Sequence, residues 1–114
     1  MIIRKEDMPG ETRDNMRGGN GKIDILHLVS REKMDNCRLM AEITVPINGS
    51  IGEHRHDNET EYYIIKEGRG TVIDNNQKKE IRAGDIVITG DGESHSILNT
   101  GAAPLRFIAV IITK

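Results

Sequence analysis

The chain has 114 residues, enough for one domain with one modest hydrophobic core and too few for two. Its 16 basic and 18 acidic residues are mixed along the chain, and aromatic residues make up 3% of it, which excludes a basic or base-stacking surface for nucleic acid. No stretch approaches the roughly 20 apolar residues of a membrane span.

The first residues and the cysteine content predict a cellular location. Met1 to Met8 carries four charges with no apolar run behind them, so it does not resemble a signal peptide. Cys37 is the single cysteine, which excludes an internal disulfide framework and fits a reducing compartment. We therefore expect a cytoplasmic protein.

The N-terminal part is less regular than the rest. We predict an N-terminal arm or flap over residues 1–22 and a β-barrel over residues 23–114. The glycine-rich segment Asn15–Gly21 is either a surface loop or a mobile flap over the barrel mouth, in which Arg17 would face an anionic ligand.

Hydrophobic periodicity close to two then predicts strands. Turn signals such as Asn48-Gly49 and Asp91-Gly92 separate them at short, regular intervals. Ser30 to Asn36 is predicted as a loop or a single turn. About nine short strands with almost no helix indicate an all-β sandwich or jelly-roll barrel. The predicted strands are Ile23–Val29, Leu39–Val45, Ile51–His56, Glu61–Lys66, Thr71–Asp74, Lys78–Arg82, Asp85–Thr89, His95–Leu98 and Leu105–Thr113.

The last predicted strand is apolar on both faces. Phe107 and Ala109 lie on one face, and Ile108 and Val110 lie on the other. A strand of this kind has to be covered on both sides, and the barrel core covers one of them. A homodimer that covers the other side follows as a hypothesis.

Three of the four histidines fall into two short blocks. His54 and His56 are spaced i and i+2, so on a strand both point to one side about 7 Å apart and can converge on one ion. The polar run Asp57–Thr60 predicts a turn, after which Glu61 begins an antiparallel return strand. His95 opens another strand after the Asp91-Gly92 turn.

These two blocks resemble the two sequence motifs of the cupin family. The first motif, G(x)5HxH(x)4E(x)6G, is met at all positions but its first glycine, where Asn48 stands beside Gly49. The second, G(x)5PxG(x)2H(x)3N, is met except for Gly90 in place of proline. The matching positions are His54, His56, Glu61, Gly68, Gly84, Gly92, His95 and Asn99.

The resemblance implies a cupin double-stranded β-helix, a jelly-roll barrel, that holds one divalent transition metal ion with His54, His56, Glu61 and His95. This ligand set is of the germin and oxalate decarboxylase type, which usually holds manganese. The donors also suit Fe, Co, Ni, Cu or Zn. His27 matches neither motif and is expected to be a packing or surface residue.

The reaction is less determined than the metal site. If the ion is octahedral, two adjacent positions stay open for water, a chelating carboxylate or dioxygen, so one hypothesis is a metalloenzyme acting on a small carboxylate or a sugar-like compound. Tyr63 is predicted to point inward and is the candidate proton donor or acceptor. The alternatives are a non-catalytic binding or sensing domain and a structural barrel with a vestigial site.

Overall fold

Ten strands make up most of the chain. The computed structural model describes every residue from Met1 to Lys114. Short 3-10 turns cover Lys5–Asp7, Met16–Gly18 and Arg31–Lys33, and no helix is long and apolar enough to cross a membrane. The strands are β1 (Gly10–Asp14), β2 (Lys22–His27), β3 (Cys37–Val45), β4 (Ser50–His56), β5 (Glu59–Glu67), β6 (Arg69–Asp74), β7 (Gln77–Arg82), β8 (Ile86–Thr89), β9 (Glu93–Asn99) and β10 (Leu105–Thr113).

The strands form two antiparallel sheets. One has six strands in the order β1-β2-β3-β10-β5-β8, and the other has four in the order β4-β9-β6-β7. Their inner faces enclose a core of mainly β-branched side chains around Phe107, which suits a pleated surface and compensates for the scarcity of aromatic residues. The predicted all-β jelly-roll is confirmed.

Asparagines close several of the turns between strands. Asn75 and Asn76 both have positive φ, 49° and 67°, as a two-residue hairpin between β6 and β7 requires. Asn48 and Asn58 adopt the same left-handed conformation before and after β4, with φ of 65° and 60°. Asparagine tolerates this conformation better than other non-glycine residues, so these turns follow from local chemistry.

A β-bulge in β4 decides which side chains enter the barrel. Ile51 pairs with Ile97 of β9, but the next matched pair is His54 with His95, so β4 carries one residue more than β9 over this stretch. Strict alternation from the buried Ile51 would have turned His54 to the outside. The extra residue at Gly52–Glu53 reverses the alternation and brings His54 inward.

Two expectations on strand boundaries were wrong. The sequence predicted about nine strands and missed β1. All residues of β1 are exposed, so this strand shows no apolar alternation in the sequence, and it forms by pairing with β2. The turn predicted at Asp57–Thr60 is shorter, because β5 already begins at Glu59. The Glu59 carboxylate can be buried there because it pairs with Arg38 and His56.

The glycine-rich segment packs directly on β4. Asn20 and Ser50 exchange two backbone hydrogen bonds of 3.2 and 2.9 Å. A Cβ atom added at Gly19 would lie 2.2 Å from the Ser50 carbonyl oxygen, and one added at Gly52 would lie 2.0 Å from the Arg17 carbonyl oxygen. Since β1 belongs to the six-stranded sheet, residues 1–22 are in part continuous with the barrel; their separate role as an arm or flap stays a prediction.

Candidate metal centre

The structure brings the four predicted metal ligands together. His54 and His56 come from β4, His95 from the neighbouring β9, and Glu61 from β5 of the opposite sheet. One ligand atom from each lies within 4.8 Å of the other three. His56, Glu61 and His95 are buried, and the His54 side chain is 9% exposed.

The distances between these atoms fit neighbouring ligands on one small ion. The Nε2 atom of His95 lies 2.9 Å from that of His54 and 3.1 Å from that of His56. Glu61 Oε1 lies 2.9 Å from the Nε2 atoms of His56 and His95 and 3.7 Å from that of His54. Ligands about 2.1 Å from a transition metal and at right angles to each other are separated by roughly 3.0 Å.

Hydrogen bonds at the far side of each ring orient the imidazoles. His54 Nδ1 donates to the Gly52 carbonyl oxygen at 2.8 Å, and His56 Nδ1 donates to Glu59 Oε2 at 2.5 Å. Both partners can only accept, so a neutral ring directs an unprotonated Nε2 at the centre. His95 Nδ1 lies 2.6 Å from the buried Thr89 hydroxyl oxygen, which can accept in the same way.

Four electron-pair donors therefore converge on one point. Glu61 Oε1 is buried and has no aligned hydrogen-bond partner, although two ring nitrogens lie 2.9 Å away. A buried carboxylate oxygen without a partner is costly, and so is the close approach of several lone pairs. A cation at the centre satisfies all four atoms at once, so the residues fit a metal ion.

The electrostatics of the cluster favour an ionised Glu61. Burial by itself raises the pKa of this carboxyl, but in the metal-free protein the N–H groups that the three imidazoles can donate to it hold the pKa well below its usual range. For His56, burial lowers the pKa while the carboxylates of Glu61 and Glu59 raise it, and the carboxylates prevail. Burial lowers the pKa of His95. The centre thus carries a fixed negative charge beside its nitrogen donors.

Sequence reasoning missed the residues behind the cluster. Arg38 binds both oxygens of Glu59 at 2.7 Å, and Glu59 in turn holds His56, so a chain of contacts runs from β3 to the centre. Glu59 lies two residues before Glu61, on the same side of β5, and extending the alternation one step back would have found it. Thr89 and Arg38 carry no such signal, because only the sheet pairing brings them near.

A cavity of about 420 Å³ opens onto the centre from the inside of the barrel. Tyr63 lines it as predicted, buried and stacked on His95 with ring centroids 4.8 Å apart. Burial and the Glu61 carboxylate raise the pKa of the Tyr63 hydroxyl well above its ordinary value of 10, so the hydroxyl keeps its proton at neutral pH. His27 lies in the wall, bound to Glu11 at 2.5 Å, and is not part of the cluster.

The fold and the site define a small β-barrel protein with a buried group of three histidines and one glutamate that could hold a metal ion. The family model of the cupin domain matches residues 41–111. The chain belongs to the cupin family.

Comparison with individual proteins agrees with this family. The chain is 45% identical over 113 residues to an oxalate-binding protein of Thermotoga maritima, covering 98% of this chain and 93% of the relative. The crystal structure of a predicted oxalate decarboxylase from the same organism superposes with a TM-score of 0.95 at 43% identity, covering all of both chains. A polyketide cyclase from Streptomyces resistomycificus, 17% identical, shares the fold with a TM-score of 0.76 over 99% of this chain and 78% of its own.

Proposed function

We propose that this cupin holds one divalent transition metal ion through His54, His56, Glu61 and His95. The observation that carries the proposal is the orientation of the three imidazoles, whose Nε2 atoms meet the partnerless Glu61 oxygen at one point. Nitrogen and carboxylate donors suit several metals, and manganese is our first expectation because the ligand set resembles that of germins and oxalate decarboxylases. Fe, Co, Ni, Cu and Zn stay open.

We further propose that the ligand of this site is a small carboxylate of the oxalate type. The Thermotoga maritima relative named as an oxalate-binding protein supports this, because 45% identity extends over nearly the whole chain. A bound divalent metal supplies the Lewis acid that a chelating carboxylate needs. The residues that line the cavity would surround the rest of the ligand, and the cavity volume leaves room for small carboxylates larger than oxalate.

Turnover of that carboxylate, by decarboxylation or oxidation, is the second candidate. It is favoured by Tyr63, a protonated hydroxyl that lines the cavity beside the cluster and could donate a proton or a hydrogen bond. Non-catalytic binding or sensing needs no such group. An assay of oxalate decarboxylation and oxidation with manganese-loaded protein separates the two, and loss of turnover in Tyr63→Phe with retained oxalate binding would assign the hydroxyl to catalysis.

The metal assignment is tested by elemental analysis of purified protein. We expect about one equivalent of metal in the wild type and loss of most of it in His54→Ala and Glu61→Ala. His27→Ala is the matched control, since this histidine lines the same cavity outside the cluster, and it should keep its metal. Equal metal content in all four proteins contradicts the assignment.

A homodimer and a cytoplasmic location complete the proposal. The outer face of the six-stranded sheet supports the dimer, because it exposes Ile64, Ile86 and Ile88 by 41%, 61% and 56%. The cytoplasmic location rests on the single cysteine, Cys37, which is free. Fractionation of the source cells tests the location, and sedimentation velocity tests the dimer.

A further inference from the structure

The charges in the cavity wall are strongly unequal. Four arginines line the cavity, whereas Glu61 is the sole carboxylate that does so. Since Glu61 faces the metal centre, the charged side chains that line the wall beyond the centre are all arginines. A cavity lined in this way favours an anion over a neutral sugar or a cation. The four arginines are Arg13, Arg17, Arg31 and Arg38.

Two of these arginines form ion pairs with glutamates of the chain. Arg38 is held by both oxygens of Glu59, and Arg13 donates to Glu11 at 2.7 Å. Arg17 and Arg31 form no ion pair, so their guanidinium groups are free to bind a ligand. A guanidinium presents paired N–H donors that match the two oxygens of a carboxylate.

Arg17 differs from Arg31 in how its backbone is held. Its φ and ψ of 56° and 30° lie in the left-handed region, which is unfavourable for a side chain of this kind. Its carbonyl group packs against Gly52 of β4, and the Gly52 carbonyl orients His54. The backbone of Arg17 therefore packs, at Gly52, against the strand that carries His54 and His56.

Arg17 lines the same cavity as three members of the cluster, His54, His56 and Glu61. No charged partner in the chain accounts for this placement.

From these contacts we infer that Arg17 is a specificity-determining residue, which binds the second carboxylate of a dicarboxylate whose first carboxylate is held at the metal centre. The inference rests on the proposed function and deepens it, because it distinguishes dianionic from monoanionic ligands. The backbone contacts of the glycine-rich segment with β4 hold the Cα atom of Arg17 beside the strand that carries His54 and His56.

The test compares oxalate with oxamate, in which an uncharged amide replaces one carboxylate. Both are titrated calorimetrically into manganese-loaded wild type, Arg17→Gln and Arg31→Gln, with metal content measured on each sample. We expect Arg17→Gln to weaken oxalate binding at least tenfold and oxamate binding less than threefold, so that the preference for oxalate collapses. Arg31→Gln, the matched control with a free arginine on the same wall, should keep the preference.

Each outcome separates the subsite from the metal centre. Metal-free wild type, or metal-loaded wild type that binds no oxalate, overturns the proposed function and the subsite with it. Metal-loaded protein that keeps its preference for oxalate in Arg17→Gln overturns the subsite alone. An equal loss in Arg17→Gln and Arg31→Gln would show general electrostatic attraction and also overturn it. Circular dichroism and thermal unfolding verify that both variants are folded.

Discussion

At the scale of single residues, the candidate centre depends on a residue that neither motif specifies. Glu59 is the acceptor that orients His56, and Arg38 holds Glu59 by two hydrogen bonds of 2.7 Å. Such a carboxylate makes the imidazole a better ligand, because it fixes the ring and its tautomer. Its loss should weaken the metal site without removing a ligand.

We expect Glu59→Gln to lower the affinity for manganese about 10-fold to 100-fold. The amide cannot match the charge of the carboxylate toward His56 and Arg38. Competition with a metal chelator measures the affinity. Glu67→Gln is the control, because Glu67 lies on the same strand, is exposed, and pairs at the surface with Arg106 at 3.5 Å; its affinity should equal that of the wild type. An unchanged affinity in Glu59→Gln would remove Glu59 from the site.

The same carboxylate makes stability depend on pH. The hydrogen bonds from Arg38 lower the pKa of Glu59 from 4.5 to about 2. Between these values the unfolded chain has taken up a proton that the folded protein has not, so the free energy of unfolding falls as the pH drops through this window. The full contribution, present above pH 4.5, is about 3 kcal/mol.

Urea unfolding of metal-free protein between pH 6 and pH 2 measures this dependence. Glu59→Gln should be less stable than the wild type at pH 6, and the two curves should approach each other at low pH. Glu61 contributes in the same direction in both proteins, because its pKa is also lowered. Parallel curves for wild type and variant would contradict the assignment to Glu59.

At the scale of elements, the bulge in β4 has the largest effect on the site. It changes the alternation between Ile51 and His54, and it places Gly52 where the glycine-rich segment approaches the strand. A side chain at Gly52 would meet the Arg17 backbone, which has no flexible end to move aside. The bulge therefore affects both the orientation of His54 and the packing of the glycine-rich segment against β4.

We expect Gly52→Ala to lower the free energy of unfolding by about 2 kcal/mol or more, since the backbone has to shift to accept the methyl group. His54 should move with it, so metal affinity should fall as well. Gly10→Ala is the matched control, because its added Cβ would lie 3.8 Å from the nearest atom. Chemical unfolding and chelator competition measure both quantities, and a Gly52→Ala protein with wild-type values would show that the contact is not required.

At the scale of the whole molecule, the outer face of the six-stranded sheet is apolar across several strands. One row of apolar side chains crosses three strands: Ile108 of β10 pairs with Ile64 of β5, which pairs with Ile86 of β8. A second apolar row lies next to it on the same face. The second row consists of Met40, Val110, Tyr62 and Ile88. An apolar surface that continues over four strands is unusual on a monomer and typical of an interface between copies.

We expect the wild type to be a dimer of 12.7 kDa chains at micromolar concentration and Ile88→Lys to be monomeric. A lysine on this face would lose its hydration when two chains associate, which disfavours the dimer. Ile88 is 56% exposed in the single chain, so the fold should tolerate the substitution. Ile73→Lys, a 41% exposed position on the other sheet, should remain dimeric. Sedimentation velocity decides, and a monomeric wild type refutes the dimer.

The sequence by itself determined most of the architecture and the identity of the four clustered residues. Hydrophobic periodicity close to two, together with the turn signals between the strands, predicted nine of the ten strands, because both are local properties of the sequence. The spacing of His54 and His56, with Glu61 on the return strand, predicted that these side chains meet. Tyr63 followed from the same alternation and does point inward.

Only the tertiary structure decided what surrounds that group. The bulge at Gly52 arises from pairing with β9, and Arg38, Thr89 and Arg17 reach the site from strands or segments distant in sequence. Their positions depend on sheet order and register, which no local pattern encodes. The four residues of the candidate centre belong to two short sequence motifs, whereas their orientation and the charge of the cavity result from long-range packing.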